Sequence, residues 1–148
     1  MGLMQAMEEK FALTTSRHFP EWLAATGGSI ALTTYQAGKL FLIGTKPEGG
    51  LSIFERTFQR SMGLAVSADG QSLALATEYQ IQRFDNVLQP GQRTPEGHDA
   101  LYVPHAAWVT GDLDVHDMGW DSYGRAVFVN TLFGCIATVS DGSSFKPL

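Results

Sequence analysis

The chain has 148 residues, 44% of them hydrophobic and 17% charged, a balance that suits a folded, compact domain and speaks against disorder. Ten basic residues are scattered among fifteen acidic ones, for a formal net charge of −5, so the electrostatic footprint of a DNA or RNA binder is missing. The single cysteine, Cys135, allows no internal disulfide; in an apolar strand-like run it reads as a buried, inert thiol in a reducing compartment.

Leu3, Met7 and Phe11 recur at helical spacing and predict a short packing helix over residues 2–13, inside an N-terminal extension of residues 1–18. Glu8 and Glu9 interrupt the stripe, and no signal-peptide core follows a basic start. No run approaches the ~20 apolar residues of a membrane span. A cytoplasmic protein with no membrane partner is therefore expected. Pro20 suits the first turn of a second short helix beginning near Phe19.

Three stretches then read as one pattern: Gly27-Gly-Ser-Ile-Ala-Leu-Thr-Thr34, Gly70-Gln-Ser-Leu-Ala-Leu-Ala-Thr77 and Gly124-Arg-Ala-Val-Phe-Val-Asn-Thr131. Each opens on a glycine able to take the positive φ of a tight turn and continues in strict alternation. Aligned on that glycine, Ile30 and Leu32 correspond to Leu73 and Leu75 and to Val127 and Val129, with Ala31, Ala74 and Phe128 on the other face. Both faces are largely apolar, as a sheet stacked between two neighbours requires. Thr34, Thr77 and Thr131 close the copies as strand-end residues. The glycines lie 43 and 54 residues apart, roughly the length of a four-stranded propeller blade.

Strands are predicted at 29–34, 39–45, 51–57, 62–66, 72–77 and 80–85. Residues 85–99, with Pro90, Gly91, Pro95 and Gly97, form a long loop that either lines a site or runs over the surface. Strands resume at 100–110, where Pro104 argues for an edge strand or a bulge, and at 115–120, 125–131 and 135–140. The last residues, Phe145-Lys-Pro-Leu148, stand where another outer strand would begin. The expected fold is all-β: antiparallel four-stranded blade repeats forming a partial β-propeller of about two and a half blades over residues 19–148. A propeller closes with roughly 4–8 blades, so the chain reads as a fragment, or as a unit that self-associates through its open blade edges.

Chemistry-bearing residues concentrate in Pro104-His105-Ala-Ala-Trp108-Val-Thr-Gly111-Asp112-Leu-Asp114-Val-His116-Asp117-Met-Gly-Trp120. If 115–120 is extended, Asp114 and His116 share a face while Asp117 takes the other. A carboxylate and an imidazole suit a divalent transition metal, which makes Asp114 and His116 the candidate metal ligands; turn-capping aspartates beside a hydrogen-bonded histidine are the structural alternative. The same pair fits general acid–base work, with no nucleophile identified. Ser140, Ser143 and Ser144 lack the strand–turn–helix context of a nucleophile elbow. Tyr102, Trp108 and Trp120 either stack on a ligand or fill gaps between sheets.

The segments Ser29-Ile-Ala-Leu-Thr-Thr-Tyr35-Gln36-Ala-Gly38-Lys39-Leu, Gly111-Asp-Leu-Asp-Val-His116-Asp117-Met-Gly-Trp120 and Val129-Asn130-Thr131-Leu-Phe-Gly134-Cys135-Ile-Ala-Thr138 resemble the signature segments of an uncharacterised bacterial family, a conserved domain of unknown function. The resemblance runs from Phe19 to Leu148 and implies a propeller-like layout within a protein more than twice this length. It implies no activity. It points to Tyr35, Gln36, Lys39, His116, Asp117, Asn130, Thr131 and Cys135 as positions to test. Asn130 stands out because it interrupts an apolar strand and needs a hydrogen-bond partner if buried.

Three functions are compatible with these residues. The first is a module binding a small molecule, ion or peptide at a tunnel mouth built from Tyr35, Gln36, Lys39, His105, Asp114, His116, Asp117 and Asn130. The second is a metal-dependent hydrolase or lactonase of the six-bladed propeller kind, incomplete in this chain. The third is a scaffold whose exposed blade edges dock another protein.

Overall fold

A computed structural model describes residues 13–148; the Leu3, Met7 and Phe11 stripe, and with it the predicted helix over 2–13, lies outside them. The first element is α1, Phe19–Thr26, with Pro20 in its first turn. It stops at Gly27, whose φ of 67° is left-handed and whose N–H donates to the Ala24 carbonyl. Leu23, only 2% exposed, packs with Phe41 and Ile43 of the first sheet. No helix of the described residues is long and apolar enough to cross a membrane.

Eleven strands follow among the described residues, in three antiparallel meanders. The first sheet holds β1 (Ile30–Thr34), β2 (Lys39–Thr45) and β3 (Leu51–Thr57). The second holds β4 (Leu64–Val66), β5 (Ser72–Ala76), β6 (Gln80–Asn86) and β7 (Tyr102–Val109). The third holds β8 (Met118–Trp120), β9 (Ala126–Asn130), β10 (Cys135–Thr138) and β11 (Lys146–Pro147). The chain is all-β apart from α1, and the two-residue β11 completes a third sheet where two and a half units were expected. Pro104 sits both on an edge strand and at a bulge: Phe84 pairs with Pro104 and Arg83 with Ala106, leaving His105 as the extra residue.

The sheets stack face to face. Leu40 of β2 packs with Leu73, Leu75 and Phe84 of the second sheet, whose other face packs Ala74, Ala76 and Ile81 with Ala126, Phe128 and Ala137 of the third. Every residue of β5 is buried, as the middle layer requires. The two flanking strands are apolar on both faces as well, yet Leu32 is 37% exposed and Val129 44%, because among the described residues no further sheet stacks beyond them.

The glycine-anchored repeat is corrected in its third copy. In the second sheet Val66 pairs with Leu73, three residues past Gly70; in the third, Trp120 pairs with Ala126, only two past Gly124. That difference of one residue turns β9 over, since neighbouring side chains point to opposite faces. The core-facing residues are Ala126, Phe128 and Asn130, at 3%, 1% and 0% exposure, and not Val127 and Val129. The following turns confirm the shift: Thr34 pairs with Lys39 across a four-residue connection, and so does Asn130 with Cys135. Asn130, not Thr131, is thus the counterpart of Thr34.

The predicted strands at 62–66 and 115–120 are also shorter, reduced to β4 and β8. Gly111 and Asp114 take left-handed φ values of 71° and 49° and turn the chain, so Val115 bonds through its carbonyl to Gly63 N–H instead of entering β8.

Candidate functional site

Five connections are tied together at one end of the sheets. Phe58 N–H donates to the Gly38 carbonyl, Glu78 N–H to Gln59, Thr110 N–H to Tyr79, Gly63 N–H to Val115 and Leu132 N–H to Leu113. The β1–β2, β5–β6 and β9–β10 turns are thereby bonded to the linkers that precede β4 and β8.

Arg60 is the centre of this end. Its Nη1 lies 2.8 Å from Asp112 Oδ2 and 3.7 Å from Glu78 Oε1, and its Nη2 is 3.4 Å from Asp114 Oδ1. The hydrogen bond to Asp112, with that carboxylate's charge and a hydrogen bond to Tyr35, holds the guanidinium above its ordinary pKa. Tyr79 is raised likewise, by its hydrogen bond to Glu78 and the Glu78 charge. Arg60 and Asp114, with φ of 48° and 49°, are the two non-glycine residues in the left-handed region among the described residues. Asp114 is supported there by a bond from its N–H to Asp112 Oδ1 at 3.1 Å. Its Oδ2 lies 3.1 Å from His116 Nε2, so Asp114 joins the guanidinium to an imidazole that is 58% exposed.

A family model described as a domain of unknown function, DUF4915, matches residues 17–148. The chain belongs to this family. Comparison with curated proteins gives no match. The matched span takes in all three sheets and every residue of the Arg60 cluster, so in this family member the cluster is part of the domain itself.

Of the residues named from sequence, the fold brings Tyr35, Asp114 and His116 together. Asp114 and His116 meet through the left-handed turn at Asp114 and not, as expected, along an extended strand. Gln36 is exposed in the same turn as Tyr35, while Lys39 is held away by an ion pair with Glu55 at 3.2 Å. Asp117 accepts the Met118 N–H at 2.8 Å through Oδ1. Asn130 is buried at the end of β9; its Oδ1 accepts the Phe133 N–H at 3.2 Å, and its Nδ2 has no partner. Two further unpartnered buried atoms, Ser61 Oγ and Glu78 Oε2, belong to a neighbour and a partner of Arg60. Arg60 and Glu78 were not legible as site residues, because a single Arg between strands and a single Glu in a turn look like ordinary solvated linkers.

Asp114 and His116, the candidate metal ligands, stand side by side at this end. They supply two donors, the Arg60 guanidinium already engages the Asp114 carboxylate, and no group of three or more His, Cys, Asp or Glu among the described residues is arranged to hold a metal ion. Tyr102, Trp108 and Trp120 pack against the apolar clusters, which is the gap-filling alternative. Cys135 is half-buried and packs there too.

His105 lies elsewhere, at the β7 bulge. Its Nδ1 contacts Asp85 Oδ2, and Asp85 Oδ1 accepts from Ser72 Oγ at 2.7 Å and Arg83 Nε at 2.8 Å. The guanidinium of Arg83 also sits 5.5 Å above the Trp120 ring. Burial alone would raise the Asp85 pKa, but the bonds from Arg83 and Ser72 and the charges of Arg83 and His105 together hold it below the usual carboxylate range. A depressed folded-state pKa contributes stability that is present above the unfolded value and lost as pH falls through the folded one. Urea midpoints of wild type and Asp85→Asn are therefore expected to differ at neutral pH and to converge well below pH ~4; a constant gap down to that acidity contradicts the network. The predicted loop does line a depression, of about 260 Å³, with Gln71, Asn86, Gln92 and Arg93 on its wall. Gln71 precedes β5, so this depression lies at the end of that strand opposite the Glu78 turn.

Proposed function

We propose that the chain forms a ligand-binding module built on a β-propeller-like scaffold, with its site at the mouth where Tyr35, Arg60, Glu78, Asp112, Asp114 and His116 meet. The observation that carries this reading is that the two non-glycine left-handed residues, Arg60 and Asp114, are bonded to each other at that point. Left-handed non-glycine backbone costs of order 1–3 kcal/mol per residue and collects at ligand sites and clamps, where the surrounding structure holds it. The propeller reading is supported by three meanders stacked face to face and by the adjacency of β4 to both β1 and β8, which puts the first strands of the sheets side by side. The acidic groups outnumber the guanidinium, so the ligand favoured is a small polar molecule rich in hydrogen-bond donors or carrying positive charge.

Thermal unfolding in the presence of separate amines, sugars and calcium, zinc and manganese salts tests this. Asp114→Gly is the informative variant, because it removes the carboxylate while glycine accepts the left-handed φ without strain. A ligand that raises the midpoint of wild type and leaves Asp114→Gly unchanged is the expected result. Equal stabilisation of both places binding elsewhere. A metal that stabilises wild type but not His116→Ala would favour the metal-dependent hydrolase reading instead.

A further inference from the structure

The connection from β6 to β7, residues 87–101, carries no helix or strand of its own, and loops of this length in a compact domain are usually functional. It is nonetheless a built structure. Its neck is closed by Asn86, whose Oδ1 accepts the Leu88 N–H at 3.2 Å and the Leu101 N–H at 2.9 Å, and by a bond from the Val87 N–H to the Leu101 carbonyl. Beyond the neck the chain makes two turns, closed by the Gln92 N–H on the Gln89 carbonyl and the Gly97 N–H on the Thr94 carbonyl, with Arg93 between them. A closed neck carrying ordered turns is the build of an Ω-loop.

This loop borders the depression of about 260 Å³. Sites for drug-sized ligands run to ~300–1,000 Å³, so the depression suits a smaller molecule. Asn86 Nδ2 donates to Gln71 Oε1 at 3.2 Å and ties the neck to the turn before β5. Gln92 Oε1 accepts the Gln89 N–H at 3.0 Å, which leaves its Nε2 hydrogens for another acceptor. Arg93 Nη1 donates to the Gly97 carbonyl at 2.8 Å and is anchored by it. The other guanidinium N–H groups of Arg93, and the Asp99 carboxylate on the same depression, have no bonded partner among the described residues. One cation and one anion thus border a single small depression without forming an ion pair with each other.

We propose that this depression is a second binding site, for a small zwitterion that carries both a carboxylate and an ammonium group, as a free amino acid does. The planar fork of Arg93 takes the carboxylate, which Gln92 Nε2 also reaches as a donor, and Asp99 takes the ammonium. A lone anion meets the repulsion of Asp99 and a lone cation that of Arg93, so the pair selects for both charges in one molecule. The site lies at the end of β5 opposite the Arg60 mouth and does not rest on the ligand reading made there.

The test titrates the full chain, followed by its backbone amide resonances at constant ionic strength, with glycine, β-alanine and 4-aminobutyrate, whose charged groups stand successively further apart. Sodium acetate, methylammonium chloride and glycerol are the controls. At least one zwitterion is expected to shift the amides of Gln89, Gln92, Arg93 and Asp99 saturably, with an affinity roughly tenfold above that for either singly charged control. Asp99→Asn is the informative variant, because the carboxylate bonds to nothing in the fold and its loss leaves the loop closed; it is expected to weaken that binding at least about fivefold. A saturable response to none of the three zwitterions overturns the proposal, as does an equal response to acetate, methylammonium or glycerol. So do undiminished binding by Asp99→Asn and shifts confined to the Arg60 mouth.

Discussion

Phe128→Ala is expected to lower the unfolding free energy by about 3–5 kcal/mol, the usual cost of emptying a large buried aromatic site, while Val129→Ala costs about 1 kcal/mol or less. Phe128 is 1% exposed and lies in the cluster between the second and third sheets with Ala74, Ala76 and Ile81. Val129, its neighbour in β9, is 44% exposed on the opposite face. The contrast reads the register of β9 directly. If β9 kept the glycine-anchored register, the valines would face the second sheet and the two costs would exchange places. Urea unfolding of the two variants decides between these arrangements, and a Val129→Ala cost equal to that of Phe128→Ala contradicts the slipped register.

The second large effect concerns Gly38. Its φ is 58°, and a Cβ built there falls inside the contact distance of the Phe58 carbonyl oxygen. Gly38→Ala therefore combines a left-handed backbone cost of ~1–2 kcal/mol with a steric displacement costing ~1–3 kcal/mol, and it breaks the Phe58 N–H bond to the Gly38 carbonyl at 2.6 Å. Gly134 is the matched control: it holds the same position in the β9–β10 turn, with φ 62° and nothing within 4 Å of the added Cβ. Its replacement by Ala is expected to cost only the backbone part. Thermal or urea unfolding should give a loss at Gly38 at least about twice that at Gly134; equal losses would mean that the linker before Arg60 is not held against the β1–β2 turn. Because that linker carries Arg60, the same substitution is expected to weaken the binding proposed at the Arg60 mouth.

Much of the architecture is legible before any coordinates, and the reasons are local. Alternation in Ile30–Thr34, Ser72–Ala76 and Ala126–Asn130 marks strands, because a pleated chain sends successive side chains to opposite faces. Glycine and polar residues between these segments mark turns, and Pro104, inside a predicted strand, marks an edge with a bulge. The candidate site was legible only in part. Asp114 and His116 meet, but through a left-handed turn that no residue type demands, since aspartate adopts it here with the support of Asp112. Arg60, the group that gathers the acids, lies 52 and 54 residues from Asp112 and Asp114, a separation at which spacing carries no signal. His105, grouped with His116 by proximity along the chain, belongs to the Asp85 network because the bulge re-aims it.

By itself, then, the amino-acid sequence determined that this DUF4915 chain is made of antiparallel β units with polar connections, for strand and turn preferences act over a few residues. Tertiary structure decided which face of β9 enters the core and which loops meet at Arg60. Each of these depends on how separate sheets stack, and a one-residue slip or a single bonded turn changes the outcome without changing any local pattern.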